Sequence, residues 1–434
     1  MKKAFTLILL IFSLCAFGQG GILNRAKQKL KDKAVQRTEN RIESGIDKGL
    51  DEVENGIDGK KQKSSEVEQP QKVQKDDTAP APGKPSFESY SRYDFVPGQN
   101  VVYAEDFSQD VVGEFPLLWG TNNRGEVVTI KGLEGKWLRL FHTSELVSPQ
   151  LKTLPANFTM EFDVVLTFPN EGYTYPNIIF KLLQTASGDK DGRAYLGDVT
   201  SVSQTNLTIV PGEEGSSTIA LTTEVEGREY FNGGPKPLKK LSASYGKPAH
   251  VALWVQQSRL RMWINGEKIY DIPQAISPQL AFNRLGLGIT TYFSDEEKIG
   301  VYLSNVRVAE GAADARNKLL TEGKWVTHGI QFDVASATIK PQSAGVLKEI
   351  AGILSENASL TIKIVGHTDS DGDDAKNLDL SKRRAAAVKE ALVKTFGIEA
   401  SRLQTDGLGE TKPLKDNKTK EGKAENRRVE FIKL

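Results

Sequence analysis

Between residues 89 and 310, apolar and polar positions alternate in short runs separated by turn-forming residues. Such runs include Glu126–Ile130, Trp137–Phe141, Phe158–Leu166, Asn177–Leu183, Leu207–Val210, Thr218–Val225 and His250–Gln256. Leu260–Ile264 and Glu267–Ile272 flank Asn265-Gly266, a pair that tolerates positive φ at both turn positions and so favours a tight hairpin. Leu285–Thr290 and Val301–Val308 close the series. About a dozen short strands without a helical period predict an all-β sandwich or barrel.

From residue 311 onward the period changes. Gly329–Phe332 reads as a short strand, and Val346, Ile350 and Leu354 mark one face of a helix opening near Pro341. Leu360–Val365 is a second strand. Asn377–Phe396 is a second helix, with Val388, Leu392 and Phe396 at i, i+4 and i+8. Arg402–Thr405 and Val429–Ile432 supply two more strands. The resulting order, β-α-β-α-β-β, predicts a compact α/β domain over 311–434 behind the β domain of 89–310, and hence a multidomain chain.

The first 88 residues fit neither pattern. Met1-Lys2-Lys3 precedes an apolar run, Ala4–Leu14, shorter than the roughly 20 residues that span a bilayer. Ala16-Phe17-Gly18 then offers small residues for cleavage, so residues 1–18 read as a signal peptide and the chain as exported. Lipidation of Cys15 is the rival reading, but Leu14 stands where a small residue is wanted. Across 19–60, Ile42, Ile46, Leu50, Val53 and Ile57 form one stripe of a charged amphipathic helix. Gly45, Gly49 and Gly56 weaken it by roughly 1 kcal/mol each. Residues 61–88, rich in Lys, Gln, Glu, Ser and Pro, have too little apolar surface to order themselves and read as a linker.

Charge and composition narrow the chemistry. Fifty-seven basic and 56 acidic residues leave a net charge of +1, without the basic excess of a nucleic-acid binder. The single cysteine lies in the leader, which removes disulfide and thiolate chemistry from the mature chain. His142, His250, His328 and His367 are scattered along the sequence, so neither a metal cluster nor a cofactor is expected.

Phe332-Asp333, Gly366-His367-Thr368-Asp369, Asn377, Leu380-Ser381, Arg384-Ala385, Gly407, Gly409 and Asn426-Arg427-Arg428-Val429 follow one another within 326–434. This series resembles the OmpA-like (OmpA/MotB C-terminal) peptidoglycan-binding domain. Asp369 follows a strand end, where a loop can hold its carboxylate beside a ligand. Arg384 shares a helix face with Asn377 and Val388, whereas Arg383, rotated by about 100°, points away. A carboxylate and a forked cation facing one pocket suit a free amino-acid centre, the first taking its ammonium and the second its carboxylate. The resemblance implies diaminopimelate of the peptidoglycan stem peptide as that ligand. It makes Asp369 and Arg384 the principal pair, with Asn377, Thr368 and Asp333 as lesser contacts. The alternative is an internal Asp369–Arg384 salt bridge closing the loop onto the helix. The acidic run Asp371-Gly372-Asp373-Asp374 either adds to ammonium attraction or stays solvated, and the lysine-rich stretch 412–428 is expected to be an exposed loop.

In the β domain, Glu105–Ser108 with Gly113–Pro116 and Trp119, and the closing Val301–Val308, resemble the first and last strands of concanavalin A-like jelly rolls, which pair with one another. Glycosidases of that fold carry Glu-x-Asp-x-(x)-Glu on one strand face. Here Glu161-Phe162-Asp163 matches the first half and the second glutamate is missing. Glu161 and Asp163 are therefore expected to be solvated on an outer face, and Trp119, Trp137, Trp254 and Trp263 to be packing residues. Together these readings describe a non-catalytic protein of the periplasm or outer membrane. It anchors to peptidoglycan and displays a jelly roll whose ligand, glycan or protein, stays open. A secreted glycan-active hydrolase with a wall-anchoring module is the alternative.

Overall fold

The computed structural model describes residues 93–169, 175–186, 188–189, 192–196, 202–290, 298–311 and 314–434. The expected signal peptide, the helix of 19–60 and the linker of 61–88 lie outside the described residues.

The β domain consists of two antiparallel sheets. The first contains β1 (Asn100–Glu105), β3 (Gly125–Val128), β4 (Trp137–Leu140), β6 (Asn157–Thr167), β11 (Pro248–Gln256), β12 (Arg259–Ile264), β13 (Glu267–Ile272) and β15 (Gly300–Glu310). The second contains β2 (Gly120–Thr121), β5 (Glu145–Val147), β7 (Asn177–Gln184), β8 (Ser203–Val210), β9 (Thr218–Val225), β10 (Arg228–Pro237) and β14 (Arg284–Thr290). Their orders are β13-β12-β11-β6-β15-β4-β3, with β1 also on β15, and β10-β9-β8-β7-β14-β5-β2. The sheets share one apolar core, in which Phe162 of β6 meets Phe180 of β7 at 4.6 Å between ring centroids. Asn265 and Gly266 take φ of 48° and 80° in the β12–β13 turn, a conformation that asparagine tolerates and that glycine, lacking a Cβ, adopts freely.

Two details depart from the expected strands. The opening strand ends at Glu105 instead of starting there, and it pairs with β15. The edge strand β10 carries no legible alternation because it is almost wholly exposed and includes Gly233, Gly234 and Pro235. An edge strand needs pairing on one side only, so such residues are tolerated there.

The C-terminal region holds β16 (Lys324–Thr327), α1 (Ala344–Glu356), β17 (Ile362–His367), α2 (Asp374–Phe396), β18 (Leu403–Gly409), α3 (Lys420–Asn426) and β19 (Val429–Lys433). The sheet order is β16-β19-β17-β18, with β17 and β18 parallel. The first strand therefore lies before Gly329–Phe332, where it was expected, and Phe332 forms only an isolated bridge to Ile339. Trp325 decides this placement: it is buried and stacks on Phe431 at 5.4 Å, filling the core as the shorter run does not. The lysine-rich stretch is also not a plain loop. Thr419 caps α3 by accepting from Gly422 N at 2.9 Å, and the helix stands between β18 and β19.

Helices α1 and α2 bury Val346, Ile350, Leu354, Ala385, Val388 and Leu392 against Ile362 and Ile364 of the sheet. Two glycines let α2 lie directly on strand backbone. A Cβ at Gly366 would stand 2.3 Å from Ser381 O, and one at Gly407 2.3 Å from Lys382 N. That close approach draws the start of α2 over the ends of β17 and β18.

The described residues form one compact unit. Tyr93 and Phe95 pack against Ala252 and Trp263 of the first sheet and Ala344 of α1, so that sheet is covered on its outer side too. Val101 N donates to the Glu425 carboxylate of α3, and Lys420 of the same helix binds both Glu105 and Asp110. Among the described residues no helix is long and apolar enough to cross a membrane.

Candidate functional site

A cavity of about 500 Å³ opens where the loops above β17 and α2 face the outer side of β6, β11 and β15. Asp369, Thr368, Asn377 and Arg384 all line it. The chain reaches Asp369 two residues after β17 ends. Its carboxylate is buried and bound on both oxygens. Oδ2 accepts from Arg427 Nη1 at 2.6 Å, and Oδ1 accepts from Asp371 N at 3.2 Å. Thr368 is buried beside it, with N donating to Gly409 O at 3.0 Å and Oγ1 lacking a hydrogen-bond partner among the described residues. Asn377 steadies the loop, donating from Nδ2 to Asp371 O at 3.1 Å and to Glu410 Oε2 at 2.7 Å.

Arg384 reaches the same cavity from α2. Its Nε donates to Ser336 O at 2.9 Å and its Nη2 to Asp333 O at 3.4 Å, while the guanidinium lies 4.9 Å from the Phe332 ring centroid. Burial depresses its pKa to about 10, against the pull of the nearby Asp369 carboxylate. Arg384 and Asp369 do not pair with one another: the ion-pair partner of Asp369 is Arg427. Asp333 contributes its main-chain carbonyl, and its exposed side chain is not part of the lining. Arg383 points outward and pairs with Asp379 at 2.7 Å.

The acidic run has local duties. Asp373 caps α2 by accepting from Lys376 N at 3.0 Å, and Asp371 pairs with Lys423 at 2.7 Å. Asn426 clamps the loop before α3, accepting from Leu414 N at 2.7 Å and donating to Lys415 O at 2.8 Å. Arg428 binds Glu430 at 2.8 Å, so of this trio Arg427 alone turns to Asp369.

The opposite wall overturns one expectation. Glu161 and Asp163 do lie on the face of β6 away from the sandwich core, but they are 4% and 7% exposed and line the cavity. They are not solvated because the C-terminal domain covers that face. Cross-strand register brings His250 opposite Asp163 and Arg307 opposite Glu161. His250 Nδ1 is 2.7 Å from Asp163 Oδ1, and its Nε2 is 3.5 Å from Glu161 Oε1. Burial alone would depress the imidazole, but the two carboxylates hold its pKa up at about 9, so it is a cation at neutral pH. Burial likewise works against both carboxylates. Arg307 and His250 outweigh it at Glu161, and His250 and Asn305 do so at Asp163, leaving both below their ordinary values. His328 and His367 also line the cavity, so three of the four dispersed histidines meet there. Burial drives His328 down to about 3, and it donates from Nε2 to Glu425 O at 2.9 Å. Among the described residues no group of three His, Cys, Asp or Glu can hold a metal ion.

Sequence reasoning missed Arg427 as a partner of Asp369 and missed the β-domain wall. Only the Glu-x-Asp spacing on β6 signalled the latter, and nothing in it shows that a second domain closes over that face. Trp119, Trp137 and Trp263 are buried packing residues.

Comparison with known proteins places residues 331–427 in a match to the OmpA family. Outer-membrane lipoprotein YfiB of Pseudomonas aeruginosa is 40% identical over 168 residues, which cover 37% of this chain and 97% of that protein. "Probable lipoprotein YiaD" of Escherichia coli (strain K12) is 45% identical over 104 residues, 24% of this chain. The chain spans 47% of the length of YiaD and 31% of an outer membrane porin F of Pseudomonas fluorescens, less than half of either. Among solved structures, the peptidoglycan-associated lipoprotein from Burkholderia pseudomallei matches with 30% identity and a TM-score of 0.23, covering 24% of this chain and 88% of that one.

Proposed function

The chain belongs to the OmpA family, and on that premise we propose that it is a non-catalytic envelope protein gripping peptidoglycan through the diaminopimelate of the stem peptide. The ligand's free amino-acid centre sits between Asp369 and Arg384, its ammonium on the first and its carboxylate on the second. One observation carries this reading: the two opposite charges line one cavity without pairing with each other. Arg384 is held by main-chain carbonyls, which restrain its fork without neutralising it. Thr368 Oγ1 is a buried hydroxyl in want of a partner, and a ligand polar group supplies one. Asn377 shapes the loop, and Asp333 supports Arg384 through its carbonyl.

The β domain is a concanavalin A-like jelly roll in this reading, held at the periplasmic or outer-membrane side of the wall after export. The pairing of its first and last strands supports that assignment. The hydrolase alternative fares worse. A retaining glycosidase needs a carboxyl with a raised pKa as proton donor. Glu161 and Asp163 are both held below their ordinary values, with oxygens engaged by His250, Asn305 and Gln331.

Pull-down of the full chain on purified peptidoglycan tests the assignment. Asp369→Ala and Arg384→Ala are expected to remove retention while leaving the circular dichroism spectrum unchanged. Undiminished retention by both variants overturns the pocket.

A further inference from the structure

We infer that Arg307, on the β-domain wall, is a second anion-binding residue of the cavity, taking a stem-peptide carboxylate outside the free amino-acid centre assigned to Asp369 and Arg384. This rests on the peptidoglycan reading above and extends it to a domain that the OmpA match does not reach.

The Arg307 side chain is 13% exposed, yet its hydrogen bonding is far from complete. Nη1 donates to His328 O at 2.8 Å, and Nε stands 3.8 Å from Glu161 Oε2, beyond hydrogen-bond range. Among the described residues neither Nε nor Nη2 has a hydrogen-bond partner. A guanidinium carries five N–H donors, and buried polar groups are nearly always satisfied, so a buried fork left this open is an anion receptor in waiting.

Its neighbours leave the wall's carboxylates little capacity for a cation. Asp163 is bound through Oδ1 to His250 and through Oδ2 to Asn305, both at 2.7 Å. Glu161 Oε1 accepts from Gln331 at 3.2 Å and faces the charged His250. The wall's carboxylates are thus hydrogen-bonded by the protein's own donors, while Nε and Nη2 of its guanidinium, though the group is ion-paired with Glu161, are not hydrogen-bonded among the described residues. The backbone is built for this. The ladder between β15 and β6 slips between Ser304 and Arg307, and Asn305 takes φ of 54°. Such a bulge re-aims side chains beside a site. Here it turns Asn305 back onto Asp163 while Arg307 remains in register with Glu161.

A stem tripeptide ending in diaminopimelate carries carboxylates beyond its free amino-acid centre. Arg307 offers them a forked partner across the cavity from Asp369. The test uses the full chain and two synthetic tripeptides in calorimetric titration. One has all its carboxylates free; in the other, every carboxylate outside the free amino-acid centre is amidated. The free acid is expected to bind at least about tenfold tighter, as a charge-assisted pair implies. Arg307→Gln is expected to erase that preference and leave the amidated peptide's affinity unchanged. Equal affinity of the wild-type chain for both peptides overturns the inference without needing any variant, and so does an Arg307→Gln chain that keeps the preference. Failure of the wild-type chain to bind either peptide overturns the underlying peptidoglycan reading instead.

Discussion

The guanidinium of Arg427 donates to Oδ2 of Asp369 at 2.6 Å, on the carboxylate assigned to a ligand's ammonium. The Arg427 side chain is 42% exposed, whereas that of Asp369 is 12% exposed. The pair is therefore lopsided, a solvated cation resting on a carboxylate fixed from behind by Asp371 N. An ammonium entering the cavity competes with a partner that solvent readily takes back.

Arg427→Ala is accordingly expected to keep peptidoglycan retention within about fivefold of wild type, because half-exposed ion pairs contribute only about 0–1 kcal/mol. Binding of the variant to purified peptidoglycan, compared with Asp369→Ala, checks this. A loss as complete as that of Asp369→Ala makes Arg427 itself the cation that grips the wall.

His250 should leave a pH signature. Its pKa is held at about 9 in the folded chain, above the roughly 6.5 of an unfolded histidine. Its contribution is thus fully present below about pH 6.5 and fades as pH rises through 9. His250→Gln is expected to destabilise the protein by about 2–3 kcal/mol at pH 6, and by much less at pH 9.5. Denaturant unfolding at the two pH values measures the difference. A penalty independent of pH would show that His250 is neutral between its carboxylates.

Glu349 on α1 behaves in the opposite sense to most carboxylates. Burial, reinforced by Asp314, pushes it up to about 7, and its Oε2 has no hydrogen-bond partner among the described residues. The folded state therefore holds a proton that the unfolded state releases near pH 4.5, so stability falls as pH rises from there through 7. Glu349→Gln is expected to raise stability by about 1–3 kcal/mol at pH 8 and to change little at pH 4.5. Thermal unfolding across that range decides it; a variant less stable at pH 8 shows that the charged carboxylate has a partner.

Much of this architecture is legible in the residues alone, and the failures share a cause. Runs with one covered face, such as Thr218–Val225 and Glu267–Ile272, end where their alternation ends. Strand β10 escapes notice because an exposed edge imposes no apolar pattern. The motif around Asp369 and Arg384 is readable because β17, β18 and α2 must touch through glycines, which leaves fixed punctuation at Gly366 and Gly407. Glu161 and Asp163 mislead for the converse reason: alternation correctly turns them from the sandwich core, but the cover on their far side comes from residues such as Gln331, 170 positions along the chain. No local pattern carries that information, just as none unites His250 with His328 and His367.

The clasp of α3 on the first strand, through Glu425, Lys420, Glu105 and Asp110, has a mechanical meaning. Under the proposed anchoring, tension arriving from the wall at one module passes into the other by a route other than the covalent backbone. Whatever the sandwich carries is thereby braced against the second module, as a bracket holds a shelf.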